Sequence, residues 1–161
     1  MIKISADYKL FGKEINAMKK SFKKSQEIMN DPMCSIPEVI QYGMIIQSTE
    51  CLQLKEEPIL MSYMIMPRFG SNLENYFENQ GCKMSNQSVL YFGTKLLKML
   101  EGIHAAGFTY NDLKLDNVLV GYQNKIKSEQ TNCFEDCSLH LVDFGFSARY
   151  IDKITRAHIE H

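Results

Sequence analysis

At 161 residues, 45% of them hydrophobic and 23% charged, the chain has the make-up of one globular domain with enough apolar material to bury a core. A formal net charge of −1 excludes bulk attraction to nucleic acid or to an anionic membrane, so neither is expected as a partner. The longest apolar runs, such as Ile59 to Met66, are too short to span a bilayer.

Met1 to Ser5 is a short apolar run broken by Lys3, which suits a strand presenting one amine. From Asp7 the period changes: Phe11, Ile15, Met18 and Phe22 fall three to four apart and line one face of a helix. Glu14 lies off the centre of that stripe, where it can reach toward a cleft. Lys19, Lys20, Lys23 and Lys24 on the same helix read as a solvated face, with partner docking as the alternative. Pro32 should end the helix at Asn30-Asp31. Val39 to Ile46 reads as a strand interrupted by Gly43, Glu56-Glu57-Pro58 as a turn, and Ile59 to Met66 as a second strand.

Pro67-Arg68-Phe69-Gly70 is a connector that ends the sheet. Ser71 with Glu74 three residues on makes a capping box for a short helix that stops at Asn79-Gln80-Gly81. A longer helix, capped by Ser85, carries Val89, Phe92, Leu96, Leu100 and Ile103 as an apolar stripe and stops at Gly107. Val118-Leu119-Val120 and Leu139 to Val142 are two short strands expected to pair, with residues 121–138 between them as a polar excursion.

Two of these strand ends carry the chemistry. Tyr110-Asn111-Asp112-Leu113-Lys114-Leu115-Asp116-Asn117 precedes one strand, and Asp143-Phe144-Gly145 follows the other. Phosphoryl transfer needs a residue that orients the acceptor hydroxyl, a cation near the moving group, and metal ions on the phosphates. Asp112 suits the first role and Lys114 the second. Asn117 and Asp143 offer the hard oxygens that Mg²⁺ prefers.

This pattern resembles the catalytic and metal-binding loops of the eukaryotic protein kinases. The resemblance implies an α+β, two-lobe kinase-like fold, with residues 1–67 as part of the N-lobe and 68–161 as part of the C-lobe. It implies ATP and Mg²⁺ as cofactors and a protein as the other substrate. Ile2-Lys3-Ile4 looks like the strand bearing the phosphate-binding lysine, and Glu14 like its helix-borne partner. Tyr63 to Glu74 is similar to the hinge of the casein kinase one superfamily, which includes the vaccinia-related kinases; Ser147 to Asp152 and His158-Ile159 are similar to the segment after Asp-Phe-Gly there. On that alignment Met66 gates the adenine pocket, and adenine bonds the Pro67 carbonyl and the backbone of Phe69. Lys114 follows the serine/threonine pattern. The reading is serine/threonine phosphoryl transfer, and the alternative is an inactive kinase-like fragment that binds nucleotide or a partner.

The chain departs from the family in two ways. Tyr110-Asn111-Asp112 stands for His-Arg-Asp, so Asn111 lacks the cation that pairs with an activation-loop phosphate, and Tyr110 is expected to give weaker support to the Asp-Phe-Gly turn. Only two residues precede Lys3 and nothing follows His161, so the fold is expected to be a kinase domain truncated at both ends, its long helix partly uncovered. Cys34, Cys51, Cys82, Cys133 and Cys137 are scattered and odd in number, which suits reduced thiols in the cytoplasm or nucleus. Cys133 and Cys137, four apart with no second ligand pair, make a poor zinc site.

Overall fold

The computed structural model describes residues 1–28, 34–47, 59–121, 138–152 and 154–159. The expected helix end at Asn30-Asp31-Pro32, the turn at Glu56-Glu57-Pro58, nearly all of the 121–138 excursion and the Cys133/Cys137 pair lie outside them.

Strands β1 (Ile2–Ser5), β3 (Gln41–Gln47) and β4 (Ile59–Ile65) form an antiparallel sheet in the order β1-β4-β3. Lys3 pairs with Met64 in the register, which puts it on the sheet face that buries Met64 and Ser62. Helix α1 (Tyr8–Ile28) packs on that face through Phe11, Ile15 and Met18, with Phe22 half-buried beside them, as the helical period required. Asp7 supplies the helix start: its carboxylate accepts from the Lys9 and Leu10 amides at 3.1 and 3.0 Å.

Helix α2 (Leu73–Asn79) begins one residue later than the capping box suggests. Asn72, not Ser71, is the N-cap, and its side chain accepts from the Asn75 amide at 2.8 Å. Ser71 is otherwise engaged, its carbonyl receiving the Val120 amide at 2.9 Å as part of an extended segment. Helix α3 (Asn86–Ala105) is capped by Ser85 as expected, but its buried face is turned from the anticipated stripe. Phe92 and Ile103 are buried, Leu96 and Leu100 only partly, whereas Val89 is exposed and Ser88, Met99 and Gly102 are covered instead. The cause is α1. A Cβ on Gly102 would stand 2.9 Å from the Ser25 Cβ, so the two helices touch at a spot where glycine alone fits. Val89, Leu90 and Leu97 are left exposed on the far side.

A second small sheet joins β2 (Cys34–Ser35), β7 (Leu139–Leu141) and β6 (Val118–Val120) in the order β2-β7-β6. The expected pairing of the last two is antiparallel, Val118 opposite Leu141; the two-residue strand β2, which the sequence did not signal, runs parallel to β7. Strands β5 (Phe108–Thr109) and β8 (Ala148–Arg149) pair antiparallel. A single apolar cluster links Phe11, Met18 and Met64 to Met99, Leu141 and Phe144, so the β1-β4-β3 sheet and the helical part share one core.

Candidate active site

Gly107, at φ +84°, ends α3 in the left-handed turn that favours glycine, and β5 carries the chain into the 110–117 loop. Tyr110 is buried at the loop's start. Its hydroxyl donates to the Val142 carbonyl, and its ring meets Phe144 edge-on with centroids 5.3 Å apart. Asn111 adopts φ +66°, a conformation asparagine tolerates, and its amide nitrogen donates to the Phe146 carbonyl at 3.1 Å.

Asn117 closes the loop at the end of one 3-10 turn (Leu115–Asn117) and is buried. Its Nδ2 donates to Asp112 Oδ2 at 2.8 Å and to the Asp112 carbonyl at 2.9 Å. Its own carbonyl accepts the Val142 amide at 3.0 Å, which ties the loop to the strand leading to Asp143. Lys114 Nζ lies 3.0 Å from Asp112 Oδ2. The hydrogen bonds from Lys114 and then Asn117 hold the Asp112 carboxyl below its usual range, and the same contact raises Lys114.

Asp143, at φ +60°, accepts through Oδ1 from the Gly145 amide at 3.3 Å and from Lys3 Nζ at 2.9 Å. Lys3 also donates to Glu14 Oε1 at 2.7 Å, and Glu14 is buried. Burial disfavours the Lys3 ammonium, but the hydrogen bonds and charges of Glu14 and Asp143 outweigh it and raise its pKa. Residues 140 positions apart in the chain are thereby joined through one amine.

The connector between β4 and α2 borders these groups. Met66 is buried; its amide donates to the Met1 carbonyl at 3.0 Å, and its carbonyl accepts from the Met1 nitrogen at 2.7 Å. Pro67 and Phe69 are half-buried. The Phe69 ring stacks on His140, centroids 4.1 Å apart and planes inclined by 30°. The next residue must be small, because a Cβ on Gly70 would come 2.9 Å from the Val120 carbonyl that its amide bonds.

His140 was not singled out by the sequence. It lies on β7 between the buried Leu139 and Leu141, its Nδ1 2.8 Å from Ser35 Oγ and its Nε2 3.2 Å from Ser138 Oγ. The alternation of β7 places it across the sheet from those leucines, but the parallel partner β2 that brings Ser35 had no signal. Burial pushes His140 down to about 4 from an ordinary 6.5. The unfolded chain therefore takes up this proton first. Stability from neutral His140 is complete above about pH 6.5 and falls away toward pH 4, by on the order of 3 kcal/mol. Denaturant midpoints measured from pH 4.5 to 7 should fall on the acid side, and His140→Gln should flatten that limb; an unchanged slope would rule His140 out as its source.

Residues 3–159 match the protein kinase domain family. The chain belongs to that family. Among its relatives, casein kinase I homolog 1 of Saccharomyces cerevisiae is 28% identical over 102 residues, 63% of this chain and 18% of the relative. Casein kinase I homolog 2 of the same yeast is 28% identical over 102 residues, 17% of its length, and casein kinase I homolog RAG8 of Kluyveromyces lactis is 28% identical over 102 residues, 18% of its length. The match thus spans less than a fifth of each relative. As in a kinase domain, helices and strands are mixed, and among the described residues no helix is long and apolar enough to cross a membrane.

Six of the residues expected at the site are gathered by the fold. Lys3, Glu14 and Asp143 form one bonded group, and Asp112, Lys114 and Asn117 form another, the two joined through the Asn117–Val142 bond beside Asp143. Met66, Pro67 and Phe69 sit on the adjoining connector, Met66 bonded to the end of β1 and Phe69 stacked on β7. The expectation for Tyr110 needs correction. Its phenol is longer than an imidazole and reaches the carbonyl just before Asp143, so it holds the Asp-Phe-Gly turn by both hydrogen bond and ring contact.

Proposed function

We propose that this chain carries an ATP- and Mg²⁺-dependent protein kinase site that phosphorylates serine or threonine, in the manner of casein kinase one. The observation that supports this reading most is the Glu14–Lys3–Asp143 chain of contacts at 2.7 and 2.9 Å. It sets a cation able to hold phosphate beside a carboxylate able to hold metal. In this reading residues 1–67 grip the nucleotide and residues 68–161 carry the chemistry. Adenine lies against Met66 and bonds the Pro67 carbonyl and the Phe69 backbone.

Asn117 and Asp143 would hold Mg²⁺. Both present hard oxygens, and the Asn117 amide is oriented by the bonds its nitrogen makes to Asp112. Bound there, Mg²⁺ neutralises phosphate charge. The substrate hydroxyl hydrogen-bonds to Asp112 and attacks the γ-phosphorus. Its proton passes to Asp112, the bond to the β–γ bridging oxygen breaks, and ADP leaves. Lys114 turns from Asp112 to the transferred group as negative charge builds there.

Asn111 bonds the Phe146 backbone directly, so the segment after Asp143 is anchored without a phosphate. The test is transfer of labelled phosphate from ATP to a degenerate serine/threonine peptide library. Transfer should be Mg²⁺-dependent, and pretreating the protein with a phosphatase should leave it within about twofold, because an arginine–phosphate pair is absent from this loop. No transfer by the untreated protein would overturn the kinase reading; loss of transfer after phosphatase would overturn the role given to Asn111.

A further inference from the structure

A cavity of about 550 Å³ lies away from the site above, between α1 and the edge of the sheet at β3. Its helix side is one face of α1, where Tyr8, Gly12 and Asn16 follow one another at four-residue steps and Ile15 closes the floor. Tyr42, Gly43 and Met44 of β3 form the opposite wall, and Tyr42 and Met44 are exposed large side chains. Lys19, Lys20 and Lys23 stand at one end, and none of the described residues lining the cavity is acidic. Lys19 leans over the Tyr42 ring, its Nζ 4.6 Å from the centroid.

Gly12 carries the argument further. It sits in a helix interior, where glycine costs about 0.5–1 kcal/mol relative to alanine. No backbone reason requires it there: a Cβ at this position would meet nothing within 4 Å. The glycine deepens the groove at the expense of the helix. A deep apolar slot with cations at one end is complementary to a protruding apolar side chain flanked by carboxylates. A flat membrane surface would meet the lysines without filling the slot.

We infer that the α1–β3 groove is a docking site for an acidic segment of a partner protein, anchored by an aromatic or large aliphatic side chain beside Gly12 and by carboxylates on Lys19 and Lys23. The lysine run is then a binding end of the groove as well as a solvated helix face. This inference is independent of phosphoryl transfer, since none of the residues named belongs to the site described above.

The probe is a fluorescein-labelled ten-residue peptide with two phenylalanines set among glutamates, followed by anisotropy against the whole chain without nucleotide. Saturable binding is expected, weakened at least tenfold by Lys19→Gln/Lys23→Gln and by raising salt, and equally by replacing the phenylalanines with alanine. Gly12→Leu should fill the slot and abolish binding while leaving helix content by circular dichroism unchanged, and Gly12→Ala, which also strengthens the helix, should keep it. Binding that persists in Gly12→Leu, or that ignores the phenylalanines, would overturn the docking geometry. Binding to phosphatidylserine vesicles in place of the peptide would overturn it in favour of a membrane surface. Peptide binding seen only in Glu56→Gln/Glu57→Gln would mean that the chain's own 56–57 segment takes the groove, and would overturn the partner.

Discussion

Replacing Asp112 by asparagine should cut phosphoryl transfer by about 10²–10⁴-fold while leaving Mg-ATP binding close to that of the native chain, because a proton acceptor contributes in that range and acts on the peptide hydroxyl. Asp143→Ala should do something different. On the proposed reading it removes one of two oxygen donors for metal, and it removes one of the two carboxylates that hold Lys3. Binding and transfer should then fail together. The two variants separate on a thermal-shift measurement: Mg-ATP should raise the melting temperature of the native chain and of Asp112→Asn, and should not raise that of Asp143→Ala. Equal shifts in all three would deny Asp143 its role in holding the metal and nucleotide. Full transfer by Asp112→Asn would deny Asp112 its role as acceptor. The depressed pKa of Asp112 adds a sign to this. Its carboxylate persists below the ordinary range, so the acid limb of the transfer rate that belongs to it should lie below that range.

What the sequence made legible about this site was its local chemistry. The Asp112–Asn117 loop, each of the strands β6 and β7 and the turn at Asp143 follow from residues within a few positions of one another, where spacing and turn chemistry suffice. The Lys3–Glu14 pair was expected from the resemblance and the order of elements along the chain; the bond from Lys3 to Asp143 was not. The three-way bonding depends on a contact between residues 140 apart, which no local pattern signals. Facing directions were less legible. Val89 fits the apolar period of α3 as well as Met99 does, and only the close passage of Ser25 over Gly102 decides that Met99 is covered and Val89 is not. At the start of α2 both Ser71 and Asn72 are good caps. The choice falls to Asn72 because Ser71 is drawn into backbone pairing with Val120, and Asn72 also donates to Asp116 at 2.9 Å, binding the helix to the 110–117 loop. Two-residue strands such as β2 and β5 carry too few side chains to show a period at all.

Tyr110 is where sequence and structure part most usefully, and it makes the second large prediction. Its ring is buried against Phe144 and its hydroxyl satisfies the Val142 carbonyl. Burial raises the phenol above its ordinary pKa, so the hydroxyl stays a donor through neutral pH and beyond the ordinary phenol range. Tyr110→Phe keeps the ring and leaves a carbonyl without its donor, which should cost about 1–3 kcal/mol. Tyr110→Ala also opens a cavity beside Phe144 and should cost about 3–5 kcal/mol, a large share of the stability of any single domain. The more telling variant is Tyr110→His, which restores the family's residue without restoring the contact, since the shorter imidazole has lost the reach of the phenol. If Tyr110 holds the Asp143 turn, Tyr110→His should fall between the other two in urea denaturation and should weaken Mg-ATP binding more than Tyr110→Phe does, because the ring contact with Phe144 is altered as well. A Tyr110→His variant as stable as the native chain would mean that the pocket adapts to either residue. The turn would then be set by Asn111 and Asn117, through their bonds to Phe146 and Val142.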